Sequence, residues 1–169
     1  TGLLPLSIKT AAVVGFPSGA HNTLVKSREA QQACEHGAKE IDMVINLAFV
    51  SSANWSAITD EVSAVRAAIS SDVILKAIIE SALWSDEQII AVCSAAVQGG
   101  ADFVKTSTGF HKSGGASIAA VQLMRKTVGE TIGVKASGGI RTYADAKAMI
   151  EAGASRIGAS ASRVILAEA

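Results

Sequence analysis

The segment ADFVKTSTG, at 101–109, ends a short apolar strand in a lysine and follows it with hydroxyl residues and glycine. A second segment, GVKASGGIRT at 133–142, repeats this arrangement. Lysine is one of the least common residues at the end of a buried strand unless it has a chemical role. Two such residues on neighbouring strands, Lys105 and Lys135, indicate an amine nucleophile beside a second cation, which is typical of Schiff-base chemistry.

A strand followed by a helix recurs around these segments with a period of about thirty residues. Amphipathic helices, for which Asn22, Ser56, Ser85 and Thr142 are plausible caps, separate the strands. Strands are predicted at 9–16, 40–46, 73–80, 101–107, 131–137 and 155–160, and helices at 22–36, 56–70, 86–99, 116–129, 143–152 and 161–168. Strands that alternate with helices form a parallel sheet, which is either closed into a barrel or doubly wound.

Polar residues inside the predicted strands favour the barrel. A parallel sheet with both faces covered by helices should have strands that are apolar throughout. These strands are instead interrupted, at matching parity, by Asp42, Asn46, Lys76, Glu80, Lys105 and Lys135. One face of each strand therefore contacts helices, and the other lines a polar interior. We expect residues 1–169 to form one α/β domain, a TIM-type (β/α) barrel with its active site at the carboxyl ends of the strands.

Composition excludes several classes of function. With 169 residues, 49% of them hydrophobic, the chain can bury one sizeable core. Fifteen basic residues balance fifteen acidic ones, so we expect no nucleic-acid partner. The apolar stretches are strand-sized and no signal-peptide pattern is present, which predicts a cytoplasmic protein without a membrane span. The three histidines, His21, His36 and His111, are scattered, so no metal site is predicted.

The interior residues suggest roles in catalysis. A second ammonium and partial burial would lower the pKa of a lysine and free its amine for attack on a carbonyl, and Lys105 and Lys135 can form this pair. Asp42 faces the same interior and could exchange protons with a bound intermediate. We interpret Lys76 as part of a supporting charge network that holds Asp42 and Glu80, in preference to a direct role, because interior charges are usually paired.

Glycine-rich loops after the late strands indicate an anionic end on the substrate. Barrels often bind phosphate with the backbone N–H groups of the loops that follow their last two strands. Arg141 is the candidate cation of this site, and Ser107 and Thr108 could add further donors. The candidate phosphate-binding residues are Gly109, Gly138, Gly139, Arg141, Gly158 and Ser160.

Six segments together resemble the deoxyribose-phosphate aldolases, which are class I aldolases: ADFVKTSTGF, GVKASGGIRT, KEIDMVIN, LKAIIES, VVGFPSG and RIGAS. The resemblance runs over almost the whole chain. It implies reversible cleavage of 2-deoxy-D-ribose 5-phosphate into D-glyceraldehyde 3-phosphate and acetaldehyde, without a cofactor. It also implies that Lys105 forms the Schiff base, that Lys135 lowers the pKa of Lys105, and that Asp42 belongs to a proton relay. The phosphate would lie against the glycine loops and Ser160.

The opening segment, TGLLPLSIKTAAVVGFPSG, resembles the third strand unit of this eight-stranded family. This implies a barrel shortened by two strand–helix units, with a sheet edge exposed on each side of the gap. We expect a homodimer or a higher homo-oligomer to cover these edges, and the alternative is a contracted, closed barrel of six strands. Two other functions remain open: a phosphate-ester-binding remnant with little or no turnover, and a related lysine aldolase with another donor.

Overall fold

The computed structural model describes Pro5 and residues 8–169. The expected domain also includes residues 1–4, 6 and 7, which lie outside the described residues. The strands are β1 (Ala11–Val14), β2 (Glu40–Val44), β3 (Ile74–Ile78), β4 (Phe103–Lys105), β5 (Gly133–Ser137) and β6 (Arg156–Gly158). The helices are α1 (Thr23–Glu35), α2 (Leu47–Ser51), α3 (Trp55–Ala67), α4 (Asp86–Gln98), α5 (Ile118–Val128), α6 (Tyr143–Glu151) and α7 (Ser162–Ala167).

The six strands form one parallel sheet in the order β1-β2-β3-β4-β5-β6. The sheet is curled, and one contact across its concave side shows this. Arg156 on β6 reaches Glu40 on β2, with Nη1 3.0 Å from Oε2. This confirms the predicted (β/α) barrel architecture with six strand–helix units. Within the described residues β1 and β6 are the outer strands and do not pair with each other, so the contracted, closed barrel is wrong.

Strand residues alternate between the two faces as the barrel interpretation requires. Asp42 pairs in register with Lys76, and Lys105 pairs with Lys135, so these four interrupting polar residues share one face. The residues between them point toward the helices. Those on the helix-covered face include Ile41, Met43, Leu75, Ala77, Val104 and Val134, all of which are fully buried. The core therefore lies between the sheet and its helices, and the concave face remains for polar groups.

Local hydrogen bonds explain where the helices begin. Asn22 caps α1, and Ser85 and Thr142 form capping boxes at α4 and α6, as predicted. The predicted cap Ser56 is wrong, because α3 begins one residue earlier and Asn54 accepts the hydrogen bond from the N–H of Ala57. The short helix α2 was not predicted, since five residues are too few to show a helical period. No helix in the described part of the chain is long and apolar enough to cross a lipid bilayer.

A buried ion pair ties α1 and α3 to the end of β2. Lys26 Nζ lies 2.8 Å from Glu61 Oε1 and donates a second hydrogen bond to the carbonyl of Val44. Glu61 also accepts the N–H of Asn46 at 2.8 Å. Both side chains are almost fully buried, and burial lowers the pKa of Lys26 and raises that of Glu61 even though each faces an opposite charge. This pair holds the loop that follows β2 against the helices.

Candidate active site

Asp42 lies at the centre of a group of three lysines on the concave face of the sheet. Its Oδ1 accepts from Lys76 Nζ at 2.7 Å, and its Oδ2 accepts from Lys105 Nζ at 2.8 Å and from Lys135 Nζ at 2.7 Å. Adjacent strands β2, β3, β4 and β5 each supply one of these four side chains. The structure therefore brings together Lys105, Lys135, Asp42 and Lys76, four of the predicted site residues.

The electrostatics of this group follow from three ammonium groups around one carboxylate. Burial would raise the pKa of Asp42, but the charges of Lys105 and Lys135 and their hydrogen bonds hold it well below its usual range. Burial lowers the pKa of Lys135, and the neighbouring charges of Lys105 and Lys76 act in the same direction against the attraction of Asp42. Asp42 is thus a carboxylate at neutral pH, and Lys135 loses its proton more readily than an exposed lysine.

Glu40 is a second interior carboxylate that the sequence interpretation missed. Its Oε2 lies 2.6 Å from Lys76 Nζ, and only 3% of the residue is exposed. Lys76 therefore bridges Glu40 and Asp42. Glu40 stands two residues before Asp42 on the same strand, and this parity was the signal that could have identified it.

Glu80 occupies a different place from the predicted one. We expected its carboxylate to pair with Lys76. Among the described residues, it accepts a hydrogen bond from the backbone N–H of Thr108 instead. Strand β3 ends at Ile78, and Glu80 itself has a left-handed backbone (φ 51°), so strand parity no longer decides where its side chain points. Glu80 fixes the loop after β4 and does not belong to the Lys76 network.

A cavity of about 490 Å³ opens over the two lysines at the carboxyl ends of β4, β5 and β6. Lys105 and Lys135 lie in its wall beside the glycine-rich loops. Asp42 is not among the lining residues, and its Oδ2 contacts the amines of both lysines. All six candidate phosphate-binding residues line it: Gly109, Gly138, Gly139, Arg141, Gly158 and Ser160.

Hydroxyl groups just after β4 and at the last residue of β5 join the two strand ends. Ser107 Oγ donates to the carbonyl of Ser137 at 2.7 Å, and Ser137 Oγ donates to the carbonyl of Ser107 at 2.7 Å. Thr106 Oγ1 accepts the N–H of Ser137 at 3.0 Å. Ser107 was expected as a possible phosphate donor, but its hydroxyl proton is used within this link. The serines and threonine thus set the distance between the two lysine-bearing strands.

A curled parallel sheet that presents paired lysines to a glycine-lined cavity defines a barrel enzyme of the lysine-dependent aldolase class. The sequence profile described as "DeoC/LacD family aldolase" matches residues 6–168. The chain belongs to this aldolase family, which confirms the resemblance predicted from its motifs.

Individual relatives agree with this assignment. The deoxyribose-phosphate aldolase of Kocuria rhizophila is 56% identical over 163 residues, which cover 96% of this chain and 75% of that protein. The deoxyribose-phosphate aldolase of Corynebacterium diphtheriae is 52% identical over 165 residues, covering 98% of this chain and 76% of that protein. The chain thus spans about three quarters of the length of these two relatives.

A solved structure shows the same fold. The deoxyribose phosphate aldolase of Aeropyrum pernix, described as a tetramer, superposes with a TM-score of 0.87 at 38% identity. The match covers 96% of this chain and 68% of that one.

Proposed function

We propose that this chain is a class I aldolase that cleaves 2-deoxy-D-ribose 5-phosphate reversibly into D-glyceraldehyde 3-phosphate and acetaldehyde. The observation that carries the proposal is the pair of lysines, both in the wall of one cavity and both hydrogen-bonded to Asp42 Oδ2. An amine with a carboxylate at hydrogen-bond distance has the two groups that imine formation needs, a nucleophile and a proton carrier.

Lys105 is assigned as the nucleophile. Its Nζ attacks the C1 carbonyl of the open-chain sugar, and loss of water gives a protonated imine. The imine withdraws electrons as the C2–C3 bond breaks, while the C3 hydroxyl gives up its proton. D-glyceraldehyde 3-phosphate leaves, the remaining enamine takes a proton at C2, and water releases acetaldehyde and the free amine.

Asp42 and Lys135 are assigned to proton transfer beside Lys105. Two ammonium groups that share one carboxylate oxygen repel each other, so loss of a proton from one of them is favoured. Asp42 Oδ2 lies 2.8 Å from Lys105 Nζ, close enough to take and return protons on a carbinolamine at that atom. Burial lowers the pKa of Lys135, so its ammonium gives up a proton more readily than that of an exposed lysine.

The substrate phosphate is assigned to the glycine loops that line the same cavity. Backbone N–H groups at Gly138, Gly139 and Gly158, together with the hydroxyl of Ser160, are suited to an anion. Arg141 is exposed beside them and supplies a positive charge. The carbonyl and phosphate ends of one substrate would thus contact different residues of the same cavity.

A retro-aldol assay tests both the proposed reaction and the assignment of the phosphate-binding residues. Acetaldehyde should form from 2-deoxy-D-ribose 5-phosphate much faster than from 2-deoxy-D-ribose. Gly138→Ala is expected to raise KM for the phosphate ester about tenfold, because a left-handed backbone (φ 85°) costs alanine about 1–2 kcal/mol. In addition, the new Cβ would lie 2.6 Å from Ser107 Oγ and 3.0 Å from the Cα of Gly115.

The matched control is Gly139→Ala. Gly139 has nearly the same backbone angle (φ 83°), but its Cβ would meet nothing within 4 Å. It should therefore raise KM less than Gly138→Ala does. Equal rates with and without the 5-phosphate would contradict the phosphate assignment, and phosphate-ester binding without any retro-aldol product would contradict the enzyme function. A panel of other donor aldehydes and ketones measures donor preference in the same assay.

We also propose that copies of the chain associate as a homodimer or a higher homo-oligomer. Large apolar side chains are exposed near both outer strands, among them Val13 on β1 (47%), Ile150 on α6 (57%) and Leu166 on α7 (76%). An apolar groove of about 630 Å³ runs between α6 and α7. Light scattering should give a multiple of 17.2 kDa that decreases in Leu166→Glu, and a single-chain mass at micromolar concentration would count against association.

A further inference from the structure

Glu40 belongs to a chain of charges that leads away from the cavity. Its carboxylate accepts from Lys76 Nζ at 2.6 Å on one side. On the other side, Arg156 Nη1 lies 3.3 Å from Oε1 and 3.0 Å from Oε2. Glu40 and Arg156 are not among the residues that line the cavity over the lysines.

Lys76 connects Glu40 to Asp42, because its ammonium group contacts both carboxylates. The same fully buried Nζ that contacts Glu40 also donates to Asp42 Oδ1 at 2.7 Å. With Oδ1 held in this way, Oδ2 is the oxygen directed at Lys105 and Lys135. The orientation of the carboxylate that the two lysines share therefore depends on a lysine that is itself held between two acids.

Arg156 anchors the far end of this chain. It projects from β6 across the concave face, its guanidinium lies 5.6 Å from the ring centroid of Phe103, and 41% of its side chain is exposed. Because the guanidinium reaches water, its truncation removes less packing than a change at a fully buried position would.

The balance of charge in this interior is uneven. Among the described residues, the charged groups that face it are two carboxylates and four cations from strands β2 to β6: Glu40, Asp42, Lys76, Lys105, Lys135 and Arg156. Loss of a negative charge at Glu40 makes the surroundings of Lys135 more positive and favours its deprotonation. Loss of the positive charge at Arg156 has the opposite effect.

We propose that Glu40 and Arg156 are positioning residues: through Lys76 they hold the Asp42 carboxylate in the orientation that Lys105 and Lys135 share, and they set the charge around both amines. The catalytic part of this role rests on the proposed aldolase function. Neither residue lines the cavity over the lysines, so both are expected to act on turnover and on ionisation and to leave substrate binding unchanged.

The variants Glu40→Gln and Arg156→Met are expected to shift ionisation in opposite directions. Rates of labelling by an amine-reactive reagent, measured by peptide mass spectrometry across pH, give the midpoint of Lys135 without any turnover. Glu40→Gln should lower that midpoint and Arg156→Met should raise it, each by about half a pH unit or more. In the retro-aldol assay, Glu40→Gln should lower kcat about tenfold and leave KM within about twofold.

Matched controls separate this role from simple stabilisation of the fold. Glu151→Gln and Arg28→Met change exposed residues of the same types on α6 and α1. Neither variant should shift the labelling midpoint of Lys135. Arg156→Lys, which keeps the charge, should restore the wild-type midpoint. If Glu40→Gln fails to fold, the two Arg156 variants carry the test alone.

Midpoints that stay at the wild-type value, or that move in the same direction in both charge-removing variants, would overturn the proposal. Labelling does not depend on turnover, so opposite shifts in a protein without retro-aldol activity would reject the proposed function and keep the electrostatic part of this role. Unchanged midpoints in an active enzyme would reject the positioning role alone.

Discussion

Lys105→Met is expected to lower kcat/KM for 2-deoxy-D-ribose 5-phosphate by at least about 10⁴-fold, because methionine has no amine with which to form the imine. Lys135 shares Asp42 Oδ2 with Lys105, but it belongs to the next strand and cannot place its amine at the same point in the cavity. The retro-aldol assay, with detection of D-glyceraldehyde 3-phosphate, measures the loss.

The same substitution should leave the fold intact. It removes one of three ammonium groups around Asp42, and the carboxylate keeps its hydrogen bonds from Lys76 and Lys135. The Tm of Lys105→Met should therefore equal or exceed that of the wild type. Lys147→Met, at an exposed position on α6, is the control and should keep full activity. Retention of a tenth or more of the wild-type kcat/KM in Lys105→Met would assign the nucleophile to another residue.

Lys26→Met is expected to have the largest effect on stability, a loss of about 3–5 kcal/mol in the free energy of unfolding. Methionine can occupy the volume of the lysine stem beneath Gly15, but it leaves the Glu61 carboxyl buried with the N–H of Asn46 as its remaining partner. Removal of one member of a buried ion pair leaves the other charge uncompensated, which costs more than the pair contributes. Denaturant unfolding measures the difference.

A double variant identifies the cause of the stability loss in Lys26→Met. Lys26→Met combined with Glu61→Gln should recover much of the lost stability, because the amide oxygen of glutamine can still accept the N–H of Asn46 and carries no charge. Lys147→Met breaks an exposed ion pair with Glu151 (Nζ to Oε1 3.9 Å) and should leave the unfolding midpoint unchanged. A double variant no more stable than Lys26→Met would show that lost packing, and not the unpaired acid, is responsible.

The fold could be predicted from the sequence because two independent patterns agree. The alternation of strands and helices specifies a parallel sheet, and the shared parity of Asp42, Lys76 and Lys105 specifies a polar concave face. The errors in the predicted helices occur where the sequence shows no helical period. α2 has only five residues, and the two candidate caps of α3, Asn54 and Ser56, lie only two residues apart.

The candidate site was predictable as far as strand parity extends. Parity is valid within β2, where it placed Asp42 correctly and would also have identified Glu40 as the partner of Lys76. It fails at Glu80, which lies beyond the end of β3 and turns toward the loop after β4. The contact between Arg156 and Glu40 could not be predicted at all, because it joins residues 116 positions apart and depends on how far the sheet curls.

Borohydride reduction in the presence of saturating acetaldehyde tests the central claim, that Lys105 forms the Schiff base, most directly. Reduction converts an imine into a stable N-ethyl-lysine, which peptide mass spectrometry assigns to one residue. We expect one ethyl group at Lys105, none at Lys135, and none at either position in Lys105→Met. An adduct at Lys135, or no adduct on the wild-type chain under saturating aldehyde, would contradict the claim.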